Sequence, residues 1–260
     1  MTADYSTIDI QALLTKYWGY SVFRPLQEDI IRSVLTGHDT LALLPTGGGK
    51  SLCYQLPALA MEGVCLVISP LIALMKDQVQ QLSNRGIKAA CLVSGMTSRE
   101  QEVVLNGCLF GRIKLLYVSP ERLKQNLFLG HLRQMKVSFV AVDEAHCISQ
   151  WGYDFRPPYL EIAAIRALHP CVPFMALTAT ATPEVVQDIQ DKLAMRSCAL
   201  FQTSFARPNL AYRVISETDK YGRLLRILQS VPGCAIVYVR NRRRTQQVSE
   251  YLTANQVGST

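Results

Sequence analysis

Short runs of apolar residues alternate with amphipathic segments along most of the chain. Each run is apolar at nearly every position, which is typical of strands in a parallel sheet that is covered on both faces. The intervening segments repeat their apolar residues at the spacing of one helical face. The pattern therefore predicts an α/β fold with helices on both faces of a parallel sheet. The predicted strands are residues 41–44, 64–68, 89–93, 114–118, 139–142 and 174–177, and the predicted helical regions include 8–36, 71–82 and 98–106.

Polar motifs follow several of these apolar runs directly. In parallel sheets of this kind, functional groups gather at the carboxyl ends of the strands. The coincidence predicts that the motifs share one site at that edge of the sheet.

The first predicted strand leads into a glycine-rich turn. Glycines leave backbone N–H groups free to point inward, and the N-terminus of a following helix attracts phosphate. Lys50 adds a positive charge for the outer phosphates of a nucleotide, and the Ser51 hydroxyl is a candidate Mg²⁺ ligand. Leu44 stands at the first glycine position of the pattern G-x-x-x-x-G-K-[ST], and an ordinary strand-to-helix turn is the alternative. The candidate nucleotide-binding residues of this turn are Thr46, Gly47, Gly48, Gly49, Lys50 and Ser51.

Two adjacent carboxylates end the predicted strand at 139–142. Asp143 is a candidate Mg²⁺ ligand, partly through water, and Glu144 could orient and deprotonate an attacking water. His146 lies close to both along the chain and could sense the state of the phosphate. Together with Lys50, these three side chains form the predicted catalytic group. The alternative is an acidic turn in which His146 caps a helix or is solvated.

An aromatic and polar cluster precedes the glycine-rich turn. Tyr20 and Arg24 could stack on an adenine ring, and Gln27 could both donate to and accept from the edge of the base. These three residues are therefore candidate ligands of the base. The alternative is a helix start in which Tyr20 and Phe23 pack in the core.

A segment rich in aromatic residues, glycine and proline follows the paired acids, and its composition predicts a loop. Trp151, Tyr153 and Phe155 could stack on unpaired nucleic-acid bases, and Arg156 could meet a phosphate or a base face. A hydrophobic loop that packs over the core is an equally good interpretation.

Small hydroxyl residues follow other strands of the predicted sheet. Thr178 and Thr180 could link the acids to the opposite side of a cleft, although a simple turn before a helix is equally plausible. Ser69 and Ser119 each precede a proline and a predicted helix. Their hydroxyls could hold a nucleic-acid backbone, or they could simply cap the helices.

The 260-residue chain carries 27 basic and 20 acidic residues, and the resulting net charge of +7 favours a polyanionic partner. Its eight cysteines include no pair at the close spacing of zinc ligands, so no zinc is expected. Most of them lie in apolar runs, which suits reduced thiols in a cytosolic protein. The sequence shows neither a signal peptide nor an apolar run of membrane-spanning length, and no membrane association is expected.

The chain resembles the RecQ-type DNA helicases of superfamily 2. The most specific match runs from the D-E-A-H motif through the W-G-x-D-F-R-P loop, which separates this family from RNA helicases. The resemblance implies two RecA-like domains with ATP and Mg²⁺ in the cleft between them. It also implies 3′-to-5′ movement on single-stranded or partly duplex DNA, in repair and recombination, and supports the adenine role of Tyr20, Arg24 and Gln27. The matching segments are residues 23–28, 46–51, 69–71, 143–146, 150–152, 154–157 and 178–180.

The resemblance also divides the chain. Residues 1–207 are interpreted as the first RecA-like domain, and residues 208–260 as the truncated beginning of a second, joined through residues 205–210. Strands are predicted at 212–215 and 234–239, with a helix near 218–229 between them. A basic cluster at 240–244 could touch DNA or start a solvated helix.

This partial second domain lacks the later arginine that is expected to reach the γ-phosphate, so the chain alone is expected to bind nucleotide weakly and to turn it over slowly. The alternatives are an RNA-directed ATPase and a non-catalytic nucleic-acid-binding fragment. The expected location is the cytoplasm and nucleoid of a bacterium, or the nucleus of a eukaryote.

Overall fold

A computed structural model describes residues 5, 7–152, 154–204 and 210–259. The chain divides into two compact units, residues 1–205 and 206–260. The domain boundary expected at residue 207 and most of the connection expected at 205–210 lie outside the described residues, so that boundary stays a prediction. The first unit contains the sheet and all the described motifs of the candidate site.

The first unit is built on a seven-stranded sheet. Its strands are β1 (Thr40–Leu43), β2 (Val64–Ile68), β3 (Ala89–Leu92), β4 (Leu115–Val118), β5 (Val137–Val142), β6 (Phe174–Thr178) and β7 (Ala199–Gln202). They lie in the order β3-β4-β2-β5-β6-β1-β7, and every neighbouring pair is parallel. All but β7 coincide closely with apolar runs in the sequence. Strand β7 was not predicted because it lies at the sheet edge and its residues alternate between half-buried and exposed.

Helices connect successive strands. Those of the first unit are α1 (Ile10–Trp18), α2 (Gln27–Leu35), α3 (Lys50–Ala60), α4 (Ile72–Asn84), α5 (Ser98–Leu109), α6 (Asn126–Leu132), α7 (Ile165–Leu168) and α8 (Pro183–Lys192). The region predicted as helical over 8–36 is split, because Gly19 takes a left-handed conformation with φ of 71° and ends α1. At α5, Thr97 and Glu100 form a reciprocal capping box. None of the described helices combines the length and apolarity that a membrane span requires.

The core lies on both faces of the sheet. Successive strand residues point to opposite faces, and Leu41 and Leu43 belong to one apolar cluster while Ala42 and Leu44 belong to the other. Strands buried on both faces read as continuous apolar runs in the sequence. The predicted parallel sheet with helices on both faces is therefore confirmed.

A buried ion pair fixes the amino-terminal edge of the sheet, away from the motifs. Asp39, just before β1, accepts hydrogen bonds from the Arg166 guanidinium at 2.5 Å and from the backbone N–H groups of Phe174 at 2.7 Å and Arg196 at 2.6 Å. The guanidinium also lies 3.9 Å from the centre of the Phe174 ring. One carboxylate thus joins the starts of β1 and β6 to the segment that leads into β7.

The described part of the second unit contains two helices, α9 (Lys220–Ser230) and α10 (Arg242–Ala254). They pack against each other through Tyr221 and Tyr251, whose ring centres are 5.1 Å apart. The helix expected near 218–229 is confirmed as α9. The strands expected at 212–215 and 234–239 are wrong for the described residues, where both segments are unpaired. Apolar runs form strands only where other strands pair with them, and no neighbouring strand is described here.

The basic cluster at 240–244 runs into the first turn of α10. Asn241 caps this helix, because its side-chain oxygen accepts a hydrogen bond from the Arg244 N–H at 3.0 Å. The cluster therefore starts an exposed helix, which is one of the two interpretations that the sequence allowed.

Candidate functional site

The sequence motifs meet at the carboxyl edge of three neighbouring strands. The glycine-rich turn follows β1, the acids follow β5, and Thr178 ends β6, which lies between these two strands in the sheet. Lys50 lies close enough to Asp143 for its charge to act on that carboxylate. The motifs that the alternating pattern assigned to one edge of the sheet therefore do lie together there, and their function as one site stays a prediction.

The glycine-rich turn has the backbone of an anion cradle. Gly49 has φ of 83° and precedes α3, whose first N–H groups have no side-chain cap. Residues with a side chain rarely adopt this φ, and a Cβ on Gly49 would also lie 2.2 Å from the side-chain Nε2 of Gln27, so a larger residue here would be strained and would displace Gln27. Lys50 donates through Nζ to the Leu44 carbonyl at 3.4 Å, a long contact that leaves the ammonium group able to bind phosphate. The geometry suits a polyphosphate at the start of α3.

Asp143 is a buried carboxylate at the end of β5. Burial, with a further contribution from the charge of Glu144, raises the pKa of Asp143 from 3.8 to about 6. The Glu144 N–H, which donates to Asp143 Oδ1 at 3.0 Å, and the charge of Lys50 both oppose this shift. A buried carboxylate with a raised pKa binds a cation readily, because the cation offsets the cost of keeping it ionised.

Glu144 and His146 face the same space. Glu144 takes a left-handed conformation with φ of 48°, which is unfavourable for a residue with a side chain, and its carboxylate remains partly exposed. His146 Nδ1 lies 3.4 Å from Glu144 Oε2 and 2.8 Å from Thr178 Oγ1. Burial lowers the pKa of His146, so the ring is neutral near pH 7.

The hydrogen bonds of Thr178 define which nitrogen of His146 carries the proton. Thr178 Oγ1 donates to the Thr180 carbonyl at 3.2 Å and accepts from the Thr180 N–H at 3.2 Å. Its remaining lone pair accepts from His146, so we infer that the proton is on Nδ1. Thr178 is fully buried, and its contact with His146 links β6 to the acids.

Two of the three candidate adenine ligands, Arg24 and Gln27, contact the glycine-rich turn directly. Gln27 is buried, accepts from the Arg24 N–H at 2.9 Å and donates to the Gly49 carbonyl at 3.3 Å. The Arg24 guanidinium donates to the Gly47 carbonyl. Tyr20 is 55% exposed and does not pack in the core, contrary to the alternative interpretation for that residue. Their role at a base stays a prediction, and the support that Arg24 and Gln27 give to the glycine turn was not foreseen.

The aromatic loop is held at both ends and exposed in the middle. Arg156 bonds Asp154 at 2.9 Å and the Pro70 carbonyl at 3.3 Å, while its own N–H donates to the Cys147 carbonyl at 2.8 Å. Trp151 is 77% exposed, whereas Phe155 is half-buried. Tyr153 lies outside the described residues. The structure therefore leaves Trp151 accessible to a base.

One residue of the site was missed by sequence reasoning. The buried Tyr159 donates its hydroxyl to the Asp143 carbonyl at 2.9 Å and so fixes the backbone of the acidic turn. Its only signal in the sequence is an aromatic residue after two prolines, which does not identify a partner 16 residues earlier.

Residues 24–189 match the DEAD/DEAH box helicase family. The chain belongs to this family. It is 46% identical over 241 residues to the ATP-dependent DNA helicase RecQ of Pasteurella multocida, covering 92% of this chain and 38% of the relative. It is also 46% identical over 250 residues to the ATP-dependent DNA helicase RecQ of Bacillus subtilis, covering 95% of this chain and 42% of the relative. The resemblance to RecQ-type helicases is thus confirmed, and the chain spans about two fifths of the length of these relatives.

The fold agrees with that of solved helicase structures. The crystal structure of the DUF1998 helicase MrfA superposes with a TM-score of 0.74 at 18% identity, covering 96% of this chain and 41% of that one. At such low identity the likeness concerns the fold alone, and it confirms the predicted RecA-like architecture.

Proposed function

We propose that this DEAD/DEAH box helicase chain is the ATP-binding part of an ATP-dependent DNA helicase. The carrying observation is that the glycine-rich turn after β1 and the acids after β5 lie at the same edge of the sheet, where the charge of Lys50 opposes the rise in the pKa of Asp143. The close RecQ relatives bear the name of ATP-dependent DNA helicases, which supports DNA as the substrate. The proposal includes 3′-to-5′ movement on single-stranded or partly duplex DNA, in repair and recombination.

Each residue of the site has a proposed part in this activity. The backbone N–H groups at the start of α3 and the Lys50 ammonium group hold the phosphates, and Ser51 and Asp143 are the residues that would hold Mg²⁺. The bound cation would neutralise charge on the phosphates. Glu144, whose carboxylate is partly exposed, orients the attacking water and accepts its proton. Tyr20, Arg24 and Gln27 bind the adenine.

The proposed path from nucleotide to DNA runs through the contacts of His146 with Glu144 and with Thr178. His146 joins Glu144 to Thr178, so a change at the water-activating carboxylate moves the end of β6. Trp151 stacks on an unpaired base, and Phe155, Arg156, Thr178 and Thr180 are the other residues proposed to bind DNA or to couple it to the nucleotide. Because the chain spans only part of its relatives, we expect it to bind nucleotide weakly and to turn it over slowly.

The binding half of the proposal is tested with a fluorescent ATP analogue titrated into the chain with and without Mg²⁺. We expect Lys50→Ala to weaken binding at least about 10-fold, because it removes a charge-assisted contact to phosphate. Lys88→Ala, an exposed lysine before β3 at the opposite edge of the sheet, is the matched control and should leave affinity unchanged. Equal affinities of the wild type and Lys50→Ala would refute nucleotide binding at this turn.

The preference for DNA over RNA is tested by titrating the chain into labelled single-stranded oligonucleotides of DNA and of RNA with the same sequence. We expect tighter binding of DNA, and loss of most of that affinity as salt rises, since phosphate contacts dominate. Tighter binding of RNA would favour an RNA-directed ATPase instead. DNA binding that responds neither to nucleotide nor to Lys50→Ala would favour a non-catalytic binding fragment.

A further inference from the structure

A buried serine ties the base of the aromatic loop to helix α8. Ser149 is fully buried, and its Oγ lies 2.6 Å from Asp188 Oδ2 and 3.1 Å from the backbone nitrogen of Trp151. An ionised carboxylate only accepts hydrogen bonds, so the hydroxyl donates to Asp188. Its lone pair then accepts from the Trp151 N–H. The direction of both bonds is therefore fixed, and the Trp151 backbone is held through Ser149.

Lys192 keeps the Asp188 carboxylate in place. It lies one turn further along α8, and its Nζ is 2.8 Å from Asp188 Oδ2 and 3.4 Å from the Ile148 carbonyl. The hydrogen bond from Lys192, followed by that from Ser149, lowers the pKa of Asp188, so the carboxylate is ionised at neutral pH. One face of α8 thus holds two consecutive residues at the start of the loop.

Helix α8, which holds the loop, follows β6, the strand whose last residue contacts His146. Thr178 ends β6 and bonds His146, and α8 begins at Pro183 after the short turn that contains Thr180. The other end of the loop is held by Arg156, through the Pro70 and Cys147 carbonyls. Trp151 lies between these two anchored ends. The backbone from which the Trp151 ring projects is therefore held from α8 on one side.

We propose that Asp188 is a positioning residue for nucleic-acid binding, which with Lys192 holds Ser149 and presents the exposed Trp151 ring to an unpaired base. The inference rests on the proposed function, in which Trp151 stacks on the polymer. A backbone that is held before binding loses less conformational freedom when its side chain stacks, so the anchor raises affinity without touching the ligand. Asp188 acts only through Ser149 and Trp151.

The test is a double-mutant cycle on the chain, read by the anisotropy of a labelled single-stranded DNA oligonucleotide. We expect Trp151→Ala to weaken binding about 10-fold or more, the range for a lost base stack. Asp188→Asn keeps the shape but removes the charge, and we expect it to weaken binding about 3- to 10-fold. The double variant should bind no more weakly than Trp151→Ala alone, because both changes act through the same ring.

A matched control and a second variant keep the cycle interpretable. Asp191→Asn alters an exposed carboxylate of the same helix, which accepts from Gln187 and does not touch the loop, and it should leave affinity unchanged. Lys192→Met removes the second anchor without altering Ser149, and it should reproduce part of the Asp188→Asn effect. In a Trp18→Phe background, the fluorescence anisotropy of the remaining Trp151 should fall in Asp188→Asn.

Three results would overturn the inference. If Trp151→Ala weakens binding but Asp188→Asn and Lys192→Met do not, the anchor is irrelevant while the proposed function stands. If the effects of Asp188→Asn and Trp151→Ala add fully, Asp188 acts independently of the ring. If Trp151→Ala leaves affinity for DNA unchanged, stacking on this residue fails, and the inference fails with that part of the proposed function.

Discussion

Replacing Asp143 by asparagine should make the ligand-free chain more stable, although it removes a proposed metal ligand. Burial and the charge of Glu144 raise the pKa of Asp143 to about 6, which means that its ionised form is disfavoured in the fold. Asparagine has the same shape and no charge, and its oxygen can still accept the Glu144 N–H. The Tyr159 hydroxyl bonds the Asp143 backbone carbonyl, so that contact also survives.

The size of the effect follows from the pKa values of Asp143 in the two states. The folded value of about 6 exceeds the ordinary value of 3.8 by about 2 units, and each unit corresponds to about 1.36 kcal/mol. Because the folded state binds its proton more tightly, wild-type stability falls as pH rises through the window from about 4 to 6. We therefore expect the free energy of unfolding of Asp143→Asn to exceed that of the wild type by about 3 kcal/mol at pH 8, and by about half as much at pH 5.

Urea unfolding in the presence of a metal chelator measures this difference. Trp18 and Trp151 both lie in the first unit, so intrinsic fluorescence reports the unfolding of the unit that contains Asp143. Asp191→Asn, which changes an exposed carboxylate on α8, is the control and should show no comparable gain at either pH. The reasoning is refuted if Asp143→Asn destabilises the chain, or if its gain in unfolding free energy is the same at pH 5 and pH 8.

Three further changes test the fold by urea unfolding at neutral pH. Asp39→Ala leaves the Arg166 guanidinium buried without its carboxylate, so we expect a loss of about 3–5 kcal/mol, and a loss below 1 kcal/mol would contradict the importance of this pair. Thr97→Ala removes the hydroxyl that accepts from the Glu100 N–H but keeps the Thr97 N–H that donates to the Glu100 carboxylate; it should cost about 1 kcal/mol, whereas no loss would mean that α5 does not depend on this cap. Ser138→Ala removes a buried hydroxyl that has no hydrogen-bond partner among the described residues, so we expect a neutral or slightly stabilising change, and a loss above about 1 kcal/mol would reveal a partner.

The sheet could be predicted from the sequence because its central strands are buried on both faces. Residues 64–68, for example, are apolar throughout and form β2 over that range. The same rule failed where burial is incomplete. Strand β7 lies at an edge and alternates in exposure, and the apolar segments at 212–215 and 234–239 have no described strand to pair with. Apolar composition predicts a strand only when the rest of the sheet is present to bury it.

The gathering of the motifs at one edge could also be predicted, because parallel strands all end on the same side of the sheet. The contacts between the motifs could not. Gln27 reaches Gly49 from 22 residues away, and Ser149 reaches Asp188 from 39 residues away. Each of these pairs joins a helix to a turn or loop that is distant in sequence. The contact depends on how the two pack together, which neither periodicity nor a local motif specifies. The sequence therefore identified the candidate chemistry but not the side chains that hold it in place.

Two unfavourable features of this DEAD/DEAH box helicase chain lie where the proposed ligand binds. Asp143 is a buried carboxylate with a raised pKa, and the adjacent Glu144 takes a left-handed backbone conformation. A cation held by Ser51 and Asp143 would offset the first cost, so binding and stability are linked through the same carboxylate. Mg²⁺ with nucleotide should therefore raise the unfolding free energy of the wild type more than that of Asp143→Asn. Asp143→Asn, which is expected to be more stable than the wild type without ligand, should therefore gain less unfolding free energy when ligand is added. The cost of burying the ionised Asp143 is what the bound cation offsets.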